Sequence, residues 1–334
     1  MRHYSFKELS FEQYKEVKVG VFGGSRPRIL LKHKQTNQQF FLKTYRHNTR
    51  EVWAEMLASR LGLEAGFNIQ SVSLKKVSKR ISEIFKDNYG DYLPDDWQPV
   101  GALVRHAFPR GHEILYGAQI IGTASQPVTL EKIEENIRSR YLDSEDILQD
   151  IADMVIFDAW IGNMDRHHEN WAISQKNIAT QLSLISLSKA QRQEIITRRK
   201  FTPLFDHGSS LLFELGEDKI DYYNKNRDVF EKSYILEKKY ALLLSSDGEK
   251  KNIFEIIDEH MKANTKWAKR FRKSLEKIMC LDDLLIARMI HEMPTDGLLD
   301  YSEERKKLLY YSLRRRKEIL CKIIRAGEAS DEEI

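Results

Sequence analysis

Two periods run along this chain. Over residues 16–110 apolar and polar positions mostly alternate, the period of strands with one buried face. Glu16-Val17-Lys18-Val19-Gly20-Val21-Phe22 predicts one strand and Arg28-Ile29-Leu30-Leu31-Lys32-His33 a second. Thr36-Asn37 marks a turn, and Gln39-Phe40-Phe41-Leu42-Lys43-Thr44-Tyr45 resumes the strand pattern. The spacing predicts a three-strand meander with a glycine-rich first connection. The period then changes to that of a helix. Val52, Trp53, Met56, Leu57 and Leu61 form an apolar stripe that Gly62 ends, and Asn48 with Glu51 fits an N-cap and its capping-box acid. Ile69-Gln70-Ser71-Val72-Ser73-Leu74 and Gly101-Ala102-Leu103-Val104 predict two further strands. Between them, residues 78–99 carry Asp87, Asn88, Gly90, Asp91, Pro94, Asp95 and Asp96 and read as a surface insertion.

After Pro109-Arg110-Gly111 the helical period dominates. Residues 147, 148, 151, 154, 155, 156 and 157 are all apolar, too many for a surface helix, so the pattern predicts a buried helix up to Trp160. Residues 184–196 and 228–325 also read as mainly helical. The expected architecture is α+β and two-lobed. A small β-rich N-lobe spans 1–108, and a larger helical C-lobe spans 109–334, with the crossing near 105–112.

The polar residues that interrupt this pattern carry the chemistry. Directly after the buried helix comes Ile161-Gly162-Asn163-Met164-Asp165-Arg166-His167-His168-Glu169-Asn170, and later Pro203-Leu204-Phe205-Asp206-His207-Gly208-Ser209-Ser210. Asp-x4-Asn followed by Asp-x-Gly is the spacing of a kinase catalytic loop and metal loop. Phosphoryl transfer needs one carboxylate to orient the attacking hydroxyl, and an amide oxygen with a second carboxylate to hold Mg²⁺ on the ATP phosphates. Asp165, Asn170 and Asp206 fill these places. Upstream, Gly20-Val21-Phe22-Gly23-Gly24-Ser25-Arg26-Pro27-Arg28 would let backbone N–H groups approach phosphate oxygens. Lys43, on the third strand, stands where a kinase holds its α/β-phosphates, and Glu51 or Glu55, on one helix face, would pair with it. Taken alone, the glycines are an ordinary hairpin turn, Lys43 a solvent-facing strand residue, and Asp-x4-Asn a polar turn. Their joint order carries the reading.

Composition changes this picture little. Apolar residues make up 41% of the 334, enough for a substantial core, and Lys+Arg 54 against Asp+Glu 50 leaves a net charge of +4. Arg198-Arg199-Lys200 and Arg314-Arg315-Arg316-Lys317 are short basic runs, so no direct nucleic-acid binding is expected. Cys280 and Cys321 form no Cys-x-x-Cys or Cys/His pattern, which supports neither a zinc site nor a disulfide framework and suits reduced thiols. The N-terminus has no apolar run of a secretory signal, and no stretch has the length of a membrane span. A cytoplasmic location is expected, with signal-less secretion left open.

These residues resemble the HipA-like serine/threonine kinases of bacteria. Gly23-Gly24-Ser25-Arg26-Pro27-Arg28 is similar to the family's Gly-Gly-Ala-Arg-Pro-Lys loop, with Ser25 for the usual Ala and Arg28 for the usual Lys. Glu51-Val52-Trp53-Ala54-Glu55-Met56-Leu57-Ala58 resembles the family's helix in which a Glu stands eleven residues before the Gly; that register selects Glu51. The segments containing Asp165, His167 and Asn170, and Asp206 to Leu211, match the two catalytic loops most closely. The likeness covers residues 18–215; beyond about 230 it rests only on helical character. The expected form is a short one, without the extra N-terminal subdomain of the full-length toxins. The chain is similar to the shorter members, either a split toxin or a stand-alone kinase.

The resemblance implies a protein-kinase-like fold with ATP and Mg²⁺ between the lobes. Gly23, Gly24, Ser25 and Arg28 would cover the phosphates, with Lys43 placed by Glu51. Adenine would meet backbone at Val104, Arg105, His106 and Ala107, His167 would neutralise charge, and Asn170 and Asp206 would ligate the metal. Asp165 would take the proton of a protein Ser or Thr. Ser25 is a candidate autophosphorylation site, and an antitoxin partner is implied by the toxin members. The alternative reading is a lipid (phosphoinositide-type) or small-molecule kinase on the same scaffold.

Overall fold

In the computed structural model, which describes residues 7–9, 11–19, 27–46, 49–105, 112–141, 144–176, 199–293 and 301–329, the alternating stretch builds a six-stranded sheet. Its strands are β1 (Lys7–Leu9), β2 (Tyr14–Val19), β3 (Arg28–His33), β4 (Gln39–Lys43), β5 (Val72–Val77) and β6 (Val100–Arg105), in the order β1-β5-β6-β4-β3-β2. β1 runs parallel to β5 and the other pairs are antiparallel. The later strands β7 (His112–Tyr116), β8 (Ala172–Lys176) and β9 (Arg199–Phe201) form a separate antiparallel sheet. Helices are α1 (Glu51–Glu64), α2 (Lys79–Tyr89), α3 (Gly117–Ile121), α4 (Leu130–Arg140), α5 (Ser144–Ile161), α6 (Glu217–Lys225), α7 (Arg227–Phe230), α8 (Ile253–Lys262), α9 (Lys266–Met279), α10 (Asp283–His291) and α11 (Glu303–Ala329). The expected α+β class is borne out. Among the described residues no helix is long and apolar enough to cross a membrane.

The chain divides into two units. The first comprises Met1–His106, Asp206–Glu231 and Leu281–Arg315. Ile29, Leu31 and Leu42 alternate into its core with no exposed surface. α1 packs against β5 and β6, and Val52, Trp53, Met56, Leu57 and Leu61 are all buried. Its polar Glu51, Glu55 and Ser59 are buried too, so α1 is a core helix rather than an amphipathic one. The expected surface insertion at 78–99 is largely exposed, but a few of its residues reach this core. α2 buries Ile81 and Phe85, and Phe85 meets the Trp97 ring at 5.8 Å. Trp97 donates from Nε1 to Thr44 Oγ1 at 2.9 Å, and the Tyr89 hydroxyl donates to the Arg28 carbonyl at 2.8 Å. The acids and turn residues of this stretch lie on its outer side, and their density hid the apolar positions beneath.

The second unit comprises Ala107–Phe205, Lys232–Cys280 and Arg316–Ile334. α5 is its axis: Ile147, Leu148, Ile151, Met154, Val155, Ile156, Phe157 and Trp160 are all buried, as the apolar run predicts. α4, α8 and α9 pack around it. The sheet β7-β8-β9 lies in a stretch read as helical; in β8 Ala172, Ile173 and Ser174 are buried in succession, so no apolar–polar alternation marks the strand. Gly117, at the start of α3, donates from its N–H to the Trp171 carbonyl at 2.9 Å. A Cβ there would stand 2.1 Å from the Trp171 ring. The 184–196 segment lies outside the described residues.

One carboxyl in α5 opposes folding as pH rises. Asp150 is pushed up to about 7, first by burial and then by the charge of Asp153. A raised acid favours the protonated form in the folded chain. Its contribution to stability therefore falls as pH climbs from about 4, the ordinary carboxylate value, to about 7, and stays level above that. Asp150→Asn should raise the melting temperature at pH 8 and leave it nearly unchanged at pH 4, which thermal unfolding at the two pH values reads directly.

Candidate active site

In the first unit the site is built on the last residue of β4. Lys43 pairs in register with Arg28 on β3 and Ala102 on β6 and is covered by α1, which leaves it 5% exposed. A buried ammonium needs a counter-charge. Its Nζ lies 2.7 Å from Glu55 Oε1 and 3.2 Å from Asp206 Oδ1. The other Glu55 oxygen accepts the His207 backbone N–H at 3.0 Å. One carboxylate thus holds both the lysine and the chain just after Asp206. Asp206 itself has φ of 62°, a left-handed conformation that costs a non-glycine residue about 1–3 kcal/mol.

The expected pairing of Lys43 with Glu51 is corrected: the ion pair forms with Glu55, one turn further along α1. Glu51 is the first residue of the helix and fully buried. It accepts from the Arg46 guanidinium Nε at 3.0 Å, the Arg46 backbone N–H at 3.2 Å and Thr49 Oγ1 at 3.2 Å. Arg46 follows β4 closely and claims the nearer acid. The N-cap is Arg50, without a side-chain cap, and Asn48 lies outside the described residues. Arg28 opens β3, its guanidinium 6.0 Å from the Phe41 ring centroid. Val104 is buried in β6, and the exposed Arg105 donates to Gln38 Oε1 at 3.2 Å. Gly23, Gly24, Ser25, His106 and Ala107 lie outside the described residues.

In the second unit the catalytic-type loop hangs from the end of α5. Gly162 has φ of 72°, and a Cβ there would meet the Arg316 guanidinium at 3.0 Å. Burial pushes Arg316 down to about 10, and its N–H groups donate to the carbonyls of Ala159 and Tyr234. One turn back, Asp158 is fully buried. Arg166 grips it with two parallel bonds, Nε to Oδ2 at 2.8 Å and Nη2 to Oδ1 at 2.7 Å. Asn163 Nδ2 donates to Oδ1 at 3.0 Å, and the Tyr240 hydroxyl donates to Oδ2 at 2.7 Å. Burial, and then the Asp158 charge, push Tyr240 well above its ordinary value, so it stays a donor. The remaining Arg166 terminal nitrogen donates to the carbonyls of Asn170 at 2.9 Å and Phe205 at 2.6 Å.

This network fixes both ends of the Asp165–Asn170 segment while leaving Asp165 exposed. Asn170 closes a single tight turn and is 9% exposed. His167 is half-buried, its Nδ1 accepting from the Glu169 N–H at 3.3 Å. Burial pushes His168 down to about 4, so it is neutral near pH 7. Asp158 and Tyr240 were not singled out from the sequence. The available signal was an acid inside a helix otherwise too apolar to be anything but buried.

Among the described residues no group of three or more His, Cys, Asp or Glu side chains could hold a metal ion. The Asp206 carboxylate and Asn170 amide are hard oxygen donors. Each is an oxygen donor of the kind Mg²⁺ accepts one or two at a time while keeping several waters. Removing Asp158 would strand the Arg166 charge in the interior. Asp158→Ala should cost about 3–5 kcal/mol of stability, measured by denaturant unfolding.

No family model matches the sequence, and no curated protein matches it. Solved structures do. A Helicobacter pylori proinflammatory kinase, CtkA, aligns with a TM-score of 0.67 at 18% identity, covering 93% of this chain and 95% of its own. HipA, in a complex of the Shewanella oneidensis toxin–antitoxin system with HipB and operator DNA, aligns with a TM-score of 0.56 at 12% identity, covering 96% of this chain and 69% of its own. The chain has the fold of the HipA-like kinases.

Proposed function

We propose that this chain is an ATP- and Mg²⁺-dependent kinase that phosphorylates serine or threonine in a protein. The observation that carries this reading is the buried Lys43 ammonium held by Glu55 and Asp206, residues 12 and 163 positions away in sequence. No ordinary packing need explains two carboxylates on one buried lysine. A phosphate-binding cation kept in place beside a metal-ligating acid does.

Lys43 would bind the α/β-phosphates, oriented by Glu55. Asp206 and Asn170 would hold Mg²⁺, which when bound neutralises charge on the phosphates. Asp165 would orient the acceptor hydroxyl and take its proton. His167 would offset charge in the loop. Arg28, Val104 and Arg105 would contribute to the nucleotide site together with Gly23, Gly24, Ser25, His106 and Ala107. Most of the rate would come from fixed positioning and preorganised charge. Ser25 would be the autophosphorylation site, where added charge would compete with the nucleotide phosphates. An antitoxin-type partner is proposed from the presence of HipB in the Shewanella complex, with the kinase acting in the bacterial cytoplasm.

The test incubates purified chain with Mg²⁺-ATP and follows protein mass, alongside inositol lipids and aminoglycosides as acceptors. Protein-bound phosphate is expected. Labelling confined to a lipid or small molecule would replace the protein-kinase reading. Asp165→Ala and Asp206→Ala should each lower turnover by roughly 10² or more; near-normal transfer by either variant would break the assignment.

A further inference from the structure

The turn after Asp206 bends against its own preference. Asp206, Leu211 and Leu212 have φ of 62°, 54° and 62°, left-handed values that L side chains avoid. A segment with three such residues relaxes unless something outside it holds it. Within the first unit that hold comes from the start of α11 and the residues before it. The Tyr301 hydroxyl donates to the Leu211 carbonyl at 3.4 Å, and Arg305 Nη1 donates to the Leu212 carbonyl at 3.0 Å. Arg305 Nη2 donates to the Leu215 carbonyl, and the Arg50 N–H donates to Phe213 O at 2.9 Å. The carbonyls of residues 211, 212, 213 and 215 are therefore each met by a donor from elsewhere.

Arg305 is the centre of this arrangement. It is 1% exposed, and all three of its nitrogens are used on residues 212–217. Glu217 sets its plane, accepting from Nε at 2.9 Å and Nη2 at 2.6 Å through one oxygen, while the other accepts from Ser302 Oγ at 2.5 Å. A lysine could not reproduce this, because only the planar fork reaches two carbonyls and a carboxylate at once. In kinases whose corresponding segment is ordered by phosphorylation, a new arginine–phosphate pair supplies the hold. Here carbonyl and carboxylate oxygens already fill the guanidinium.

We infer that Arg305 is a positioning residue of the phosphotransfer site. It locks residues 206–217 in the strained conformation that keeps Asp206 beside Lys43, without need of a phosphate on that segment. The inference rests on the role proposed for Asp206.

The experiment compares wild type with Arg305→Ala, and with the surface change Glu217→Gln in case the first does not fold. Amide hydrogen exchange is read at residues 207, 213 and 215 and in α1, next to kcat and KM for ATP. Expected are exchange faster by roughly tenfold or more in the 207–215 segment with α1 unchanged, and kcat lower by roughly 10² with KM barely moved. Millimolar guanidinium ion should restore part of the Arg305→Ala rate. Unchanged exchange at 207–215, or a rate loss that only tracks the unfolded fraction and ignores guanidinium, would overturn the inference. Wild type that transfers no phosphate, while the exchange arm behaves as expected, would bring down the proposed reaction and leave the clamp standing.

Discussion

The buried pair of Asp158 and Arg166 is the constraint on which the catalytic-type loop depends. Neither side chain has exposed surface. Taking both charges out of water is costly, and attraction alone does not guarantee a net gain. The arrangement is tenable because almost every polar atom of the pair is used. Asp158 accepts from Arg166 twice, from Asn163 and from Tyr240, and the spare Arg166 donors go to carbonyls at 170 and 205. The pair therefore acts less as a source of stability than as a template. It converts the end of a helix, a glycine turn and a distant carbonyl into one geometry that the chain could not hold by local preference.

The first unit solves a similar problem with Glu55. There a single carboxylate reaches a side-chain cation with one oxygen and a backbone N–H with the other. Both acids lie on core helices, α1 and α5, whose burial is what makes the acids' partners obligatory. Low dielectric strengthens each bond and penalises any unfilled position. Asp165 and Asp206, by contrast, sit outside helices and strands, where exposure remains. Asp165 is exposed and Asp206 retains 28% of its side-chain surface.

Legibility of this protein in its sequence followed the range of the forces involved. β3, β4, α1 and α5 were readable because each carries its own periodicity and a local stop. α2 was masked by acids on its outer side, and β8, buried at successive positions, carries no alternation to show. Asp165, Asn170 and Asp206 stood out through spacing along the chain. The choice between Glu51 and Glu55 did not, because both lie on one helix face; Arg46 five residues before Glu51 and the distant His207 N–H on Glu55 decided it. Arg305 and Tyr301 were invisible for the same reason: in an arginine-rich helix nothing local distinguishes the guanidinium groups that turn inward, Arg305 and Arg316, from the rest.

Gly117 and Trp171 carry a consequence for how this fold can vary. The indole is stacked on Phe201 with centroids 5.9 Å apart, and its edge occupies the space a side chain at 117 would need. The two positions are therefore not free to drift separately among descendants of this chain. A methyl group gained at 117 is tolerable only after the ring at 171 has shrunk, and a smaller ring loosens its contact with β9 immediately after Asn170. Divergence at this corner should proceed by paired substitutions, with the glycine changing last.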